Sequence, residues 1–180
     1  MKTPFIYGAL MAIAGAALTF GLYLAGFHDT AEKFGTAQVL GTLGGVAIGV
    51  TGLALAMREK RATSPNASPW SYGSALGCGV LTGLVASLLG CITAYLYFAV
   101  INPGFGDFVL QVETAKLEAR GLPSAAIAQA EGMIKFMTRP TMMVVMQAVG
   151  GFFWSFVLSL VIAVFFRQRA AEAPPPLAPS

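Results

Sequence analysis

The chain has 180 residues, of which 56% are hydrophobic and only 11% are charged, and its formal net charge is +3. So much apolar surface cannot be buried in a soluble core of this size, and the mean hydropathy of +0.72 agrees with that. The composition excludes a soluble globular domain. Many basic residues lie at the ends of apolar stretches, a placement that is typical of membrane proteins and does not indicate nucleic-acid binding.

Four long apolar stretches follow one another along the chain, and none of them contains Asp, Glu, His, Lys or Arg. Each exceeds the about 20 residues that a helix needs to cross a hydrocarbon layer about 30 Å thick. The sequence therefore predicts an all-α membrane protein in which four transmembrane helices form a bundle. The predicted spans cover residues 5–26, 35–57, 76–101 and 142–166.

The segment between the third and fourth spans, residues 102–140, is the longest connection. It opens with the turn-forming residues 102–104 and contains two helix-compatible stretches that residues 121–123 separate. Apolar side chains recur on one face of each stretch, which predicts an extracytoplasmic amphipathic helical hairpin. Residues 1–169 are predicted to form one transmembrane domain, and the Pro- and Ala-rich residues 170–180 a disordered tail.

Basic residues beside the second and fourth spans predict the orientation. Arg58, Lys60 and Arg61 follow the second span, and Arg167 and Arg169 follow the fourth. If the spans alternate in direction, these residues all lie on one side of the membrane. The positive-inside rule then predicts that both termini are cytoplasmic.

Small residues recur at every fourth position of the spans. Lipid tails are as apolar as Leu, so membrane helices associate by close packing, which small residues permit. Such packing can hold a monomeric bundle together, or it can join the second span to another copy or to a partner's helix. The candidates for helix packing or an interface are Gly41, Gly45, Gly49, Gly79, Gly83, Ser87, Gly151 and Ser155.

The side-chain amide of Gln147 is the polar group within the spans that local bonding explains least. Hydroxyl groups can bond to carbonyls of their own helix, whereas a buried amide needs a partner from another helix, a ligand or another protein. A wet path for a neutral solute would draw its lining from five polar side chains. These are Thr51, Ser87, Thr93, Gln147 and Ser155.

The sequence offers no catalytic, cofactor-binding or metal-binding residues. Cys78 and Cys91 are 13 residues apart in one helix, a rise of about 20 Å that prevents a disulfide between them. The single histidine, His28, ends another span, where we expect it to lie among lipid headgroups. An enzyme would have to take its acid and base groups from the hairpin. Its candidates there are Asp107, Glu113, Glu118 and Glu131.

Several stretches of the chain occur in a recognisable order. A basic end to the second span, residues 58–61, precedes an aromatic and Ser/Gly opening of the third, residues 72–75. The sequence Tyr-Phe-Ala-Val-Ile-Asn-Pro-Gly-Phe at 97–105 and Leu-Glu-Ala-Arg-Gly-Leu-Pro-Ser at 117–124 follow. From about residue 5 to residue 168 this order resembles the DUF4199 family of small four-span bacterial membrane proteins. The resemblance implies that architecture and a bacterial inner membrane; because the family's function is unknown, it implies no site residues.

These observations favour a non-enzymatic protein of the inner membrane that works by helix association. It would act as a homo-oligomer or as an accessory subunit of another membrane protein, with membrane lipid around it and without cofactor or nucleic acid. The alternative is a small transporter or channel for a neutral or lipid-like solute.

Overall fold

The computed structural model describes residues 2–64 and 70–167, and all regular secondary structure in them is helical. The all-α prediction is therefore confirmed for this part of the chain. The predicted disordered tail, residues 170–180, lies outside the described residues, as does Arg169.

The helices are α1 (Lys2–Leu24), α2 (Ala31–Ala62), α3 (Tyr72–Leu96), α4 (Phe105–Ala119), α5 (Ser124–Met137) and α6 (Pro140–Phe166), and the π-helical turn Tyr97–Ile101 continues α3. Four helices are long and apolar enough to cross a membrane, the number that the sequence predicts: α1, α2, α6, and α3 together with its π-helical turn.

The long helices begin before the apolar stretches from which the spans were predicted, but α1 ends at Leu24, two residues before the end of its stretch. Helix α2, by contrast, ends at Ala62, whereas its apolar stretch ends at Met57. A helix satisfies its backbone hydrogen bonds equally well in the headgroup layer, so the basic residues after Met57 continue it into a polar environment.

Helix α3 occupies a central position, because it packs against α1, α2 and α6, while α2 also contacts α1 and α6. Helices α4 and α5 contact each other and are joined by residues 120–123. Gly121 in this connection has a φ of 70°, the left-handed conformation that commonly terminates a helix. We call the end of the bundle that carries residues 25–30, α4 and α5 the hairpin end, and the opposite end the tail end.

Glycines of α3 bring α6 close to it. A Cβ atom added at Gly83 would lie 2.4 Å from the Cβ of Ser155, and one added at Gly79 would lie 2.9 Å from the Cβ of Ser159. Ser159 is fully buried, and its hydroxyl donates to the carbonyl of Ser155 at 2.7 Å. In lipid, where no hydrophobic force drives helices together, this contact allows the dispersion attraction of two closely spaced backbones.

The tail end of the bundle is filled by side chains. Leu53, Ala56 and Met57 of α2 are fully buried among residues of α1, α3 and α6. Side-chain bonds reinforce this end: the hydroxyl of Tyr7 donates to the Glu59 carboxylate at 2.8 Å, and Thr3 donates to the same carboxylate at 3.3 Å.

We expect Gly83→Ala to destabilise the fold by about 1–3 kcal/mol, because the new methyl group would overlap the short, immobile side chain of Ser155. The measurement is thermal unfolding in a mild detergent. Gly77→Ala is the matched control, since Gly77 is an exposed glycine of the same helix and has open space where its Cβ would be. Equal melting temperatures for the two variants would contradict the role given to this contact.

Candidate ligand cleft between the spans

A cleft of about 550 Å³ lies between the four long helices, nearer to the hairpin end than the filled core is. All four helices contribute to its walls. Its lining on α3 runs from Ala86 to Phe98, a rise of about 18 Å. The cleft is therefore elongated along the bundle, and its volume falls in the range of about 300–1,000 Å³ that is usual for small-molecule sites.

The sequence-derived candidates divide between helix packing and the cleft. Gly79 and Gly83 pack against α6, whereas the other six contribute to the cleft lining. Those six are Gly41, Gly45, Gly49, Ser87, Gly151 and Ser155.

The small residues of α2 have different surroundings along the helix. A Cβ at Gly49 would lie 3.0 Å from Leu158 of α6, and one at Gly41 would touch Leu22 only at 3.9 Å. At Gly45 an added Cβ would meet nothing within 4 Å. Gly45 thus leaves open space, whereas the adjacent Gly44 is packed, since a Cβ there would lie 2.6 Å from Leu18 of α1.

Four of the five side chains proposed to line a path do line this cleft: Ser87, Thr93, Gln147 and Ser155. The fifth, Thr51, is exposed and is not part of the lining. It lies two residues after Gly49, and successive residues turn by about 100° around a helix, so the two positions lie on nearly opposite faces of α2.

The lining residues are apolar apart from hydroxyl groups, the indole N–H of Trp154 and one amide, and they include no charged side chain. Three of the six hydroxyls bond to carbonyls of their own helices, as Thr19 does to Gly15 at 3.1 Å and Ser87 does to Leu84 at 3.0 Å. The side chains of Gln147, Thr93 and Ser155 make no hydrogen bond within residues 2–64 and 70–167, and Gln147 contributes the amide of the lining. The cleft can accept an uncharged guest and offers it one amide.

Aromatic side chains close the cleft toward the hairpin end. Tyr97 and Phe98 line the cleft, and Tyr97 is also the largest fully buried side chain of the described residues. The ring of Phe105 lies 6.0 Å from that of Tyr97, and the ring of Phe34 lies 5.9 Å from that of Phe105. These contacts connect the end of α3 with the starts of α2 and α4.

His28 lies within this aromatic group, a position that the sequence did not predict. Its Nδ1 is hydrogen-bonded to the hydroxyl of Tyr97, which also accepts a bond of 3.1 Å from the amide of Asn102. Partial burial lowers the pKa of His28 below the ordinary value of 6.5, and the nearby carboxylate of Asp29 opposes that shift. His28 thereby connects the first loop to the π-helical turn after α3, and its position at the level of the lipid headgroups stays a prediction.

Residues suited to catalysis do not converge on the cleft. The hairpin carboxylates Asp107, Glu113, Glu118 and Glu131 lie on α4 and α5, outside the lining, and Glu113 pairs with Lys116 at 2.7 Å. Within the described part of the chain, no three His, Cys, Asp or Glu side chains are grouped so that they could hold a metal ion.

Because folding lowers the pKa of His28, the unfolded chain binds a proton there more readily than the folded one below about pH 6.5. We therefore expect the melting temperature in detergent to fall as the pH is lowered from about 7.5 to 5.5. In His28→Gln this dependence should be weaker, because the chain's single histidine is gone. Identical pH profiles for the two proteins would show that His28 does not couple protonation to folding.

Residues 6–168, most of the chain, match the model of the family DUF4199, whose description reads "protein of unknown function". No curated protein matches the chain, and no solved structure matches it either. The family has no assigned enzymatic activity, so the match adds no site residues to those that the geometry identifies. With its four membrane-length helices, this chain belongs to the DUF4199 family.

Proposed function

We propose that this membrane protein binds a neutral, lipid-like solute in the cleft between its four long helices and acts without catalysis. One observation carries the proposal: a cleft of about 550 Å³ with walls from all four helices and no charged lining residue. A charged guest would find no counter-charge there, whereas an apolar chain would find an apolar surface.

The length of the cleft supports a chain-like guest. Its lining on α3 covers about 18 Å, close to one leaflet of a hydrocarbon layer about 30 Å thick. The open space beside Gly45 and the small side chain of Ala12 on α1 leave room for methylene groups along this length. Each buried methylene contributes roughly 0.8 kcal/mol relative to water.

The proposal is tested by filling the cleft. Gly45→Leu inserts a branched side chain where an added Cβ meets nothing within 4 Å, so the fold should tolerate it while the guest loses space. We expect the dissociation constant for mono-oleoylglycerol, measured by native mass spectrometry in mild detergent, to rise roughly tenfold or more. Gly77→Leu, at an exposed glycine of α3 outside the lining, is the control and should bind as the wild type does.

Wild-type protein that binds no mono-oleoylglycerol, or a Gly45→Leu variant that binds it normally, would contradict the proposal.

The spectra also report the oligomeric state, which tests a second candidate function: assembly with another copy or a partner helix through α2. The observation in favour of assembly is that Gly45 is exposed and uncovered. A partner helix would have to enter the cleft to reach it. Dissociation of an oligomer by Gly45→Leu, with lipid binding unchanged, would favour assembly.

We further propose that the tail end faces the cytoplasm of a bacterial inner membrane. Lys2, Arg58, Lys60, Arg61 and Arg167 all lie at that end, and basic residues flanking spans favour the cytoplasmic side. The exposed apolar side chains of Met133 and Phe136 on α5 fit a hairpin that rests on the opposite membrane surface.

A reporter fusion tests the orientation. Green fluorescent protein attached after residue 180 should fluoresce, because it folds in the cytoplasm, whereas alkaline phosphatase at the same point should be inactive. Active phosphatase in that position would reverse the assignment.

A further inference from the structure

The side chain of Gln147 is placed in the cleft by glycines. A Cβ atom at Gly90 of α3 would lie 3.2 Å from its Nε2, and one at Gly151, one turn along α6, would lie 3.3 Å from the same atom. Both distances are shorter than ordinary van der Waals contact, so a larger residue at either position would crowd the amide. The absence of side chains at both glycines leaves room for the amide, and Gln147 itself is exposed rather than buried.

The amide has hydrogen-bonding capacity that the protein does not use. Its two N–H groups and its carbonyl have no partner among residues 2–64 and 70–167. The sulfhydryl of Cys91 donates to the carbonyls of Ser87 and Val144, and the hydroxyl of Tyr97 is held by His28 and Asn102. In a hydrocarbon environment an amide without a partner is costly, so a guest that bonds to it would be favoured.

The depth of Gln147 in the bundle indicates which part of a guest would reach it. Helix α6 begins at Pro140 and has 27 residues, so it is about 40 Å long, and Gln147 lies about 10 Å from its start. With about 30 Å of helix inside the hydrocarbon layer, the amide lies on the order of 5 Å below the hydrocarbon boundary. The linkage between the headgroup and the acyl chain of a lipid lies near this depth.

We propose that the cleft selects a neutral acyl lipid, with the side-chain N–H of Gln147 donating a hydrogen bond to its ester or amide carbonyl. This inference rests on the proposed function and names the class of its solute. A pure hydrocarbon would leave the amide unpaired, and a charged group at this depth would meet no charged side chain in the lining. The acyl carbonyl satisfies the amide, and its chain follows the apolar walls toward the filled core.

Two lipids that differ in one carbonyl test the inference. Mono-oleoylglycerol carries an ester, and 1-O-oleylglycerol is an ether with the same chain and headgroup but no carbonyl. Titrations followed by native mass spectrometry should show that the wild-type protein binds the ester roughly three- to tenfold more tightly, the effect of one hydrogen bond within a membrane protein. In Gln147→Met, which keeps a side chain of similar length but cannot donate, both lipids should bind with equal affinity.

Gln38→Met is the matched control, because Gln38 is an amide of α2 that, unlike Gln147, does not line the cleft, and this variant should keep the preference for the ester. Equal binding of both lipids to the wild type would overturn the inference while leaving the proposed function in place. No binding of either lipid would remove the proposed function itself. A Gln147→Met variant that retains the preference for the ester would also overturn the assignment, and the wild-type comparison remains decisive if that variant does not fold.

Discussion

The close contact between α3 and α6 is the constraint on which the rest of the structure depends. Gly83 faces Ser155 and Gly79 faces Ser159 at distances that leave no room for a methyl group. Because α3 also packs against α1 and α2, the position of α6 relative to α3 determines how the remaining two spans can be arranged. The core at the tail end and the open space nearer the hairpin end both follow from this arrangement.

Residues of the same type serve different purposes at different heights in the bundle. Glycines of α3 allow tight contact with α6, whereas Gly45 of α2 faces open space. The difference arises because the tail end contains large side chains such as Leu53 and Met57 of α2 and Met11 of α1, which fill the gap between helices. Nearer the hairpin end, α2 contributes small residues to the lining of the cleft, and a cavity remains between the helices.

The sequence predicts the four apolar helices well, because apolar length without charge is a local property that can be read along the chain. It also identifies the small-residue faces, but it cannot say which of them meet another helix. That depends on the rotation and spacing of helices far apart in sequence, so Gly45 and Gly83 look alike until the bundle is known. His28 and Tyr97 are 69 residues apart, and no periodicity connects them. The sequence does show where the third span ends, because the turn-forming residues Asn102-Pro103-Gly104 follow shortly after Tyr97.

The filled core at the tail end has a consequence for the energetics of a cell. Leu53, Ala56 and Met57 are fully buried there and close the passage below the cleft. With aromatic side chains at the hairpin end and this core at the tail end, no continuous column of water joins the two ends of the described bundle. A membrane can thus hold many copies of such a protein without a proton leak through the cleft.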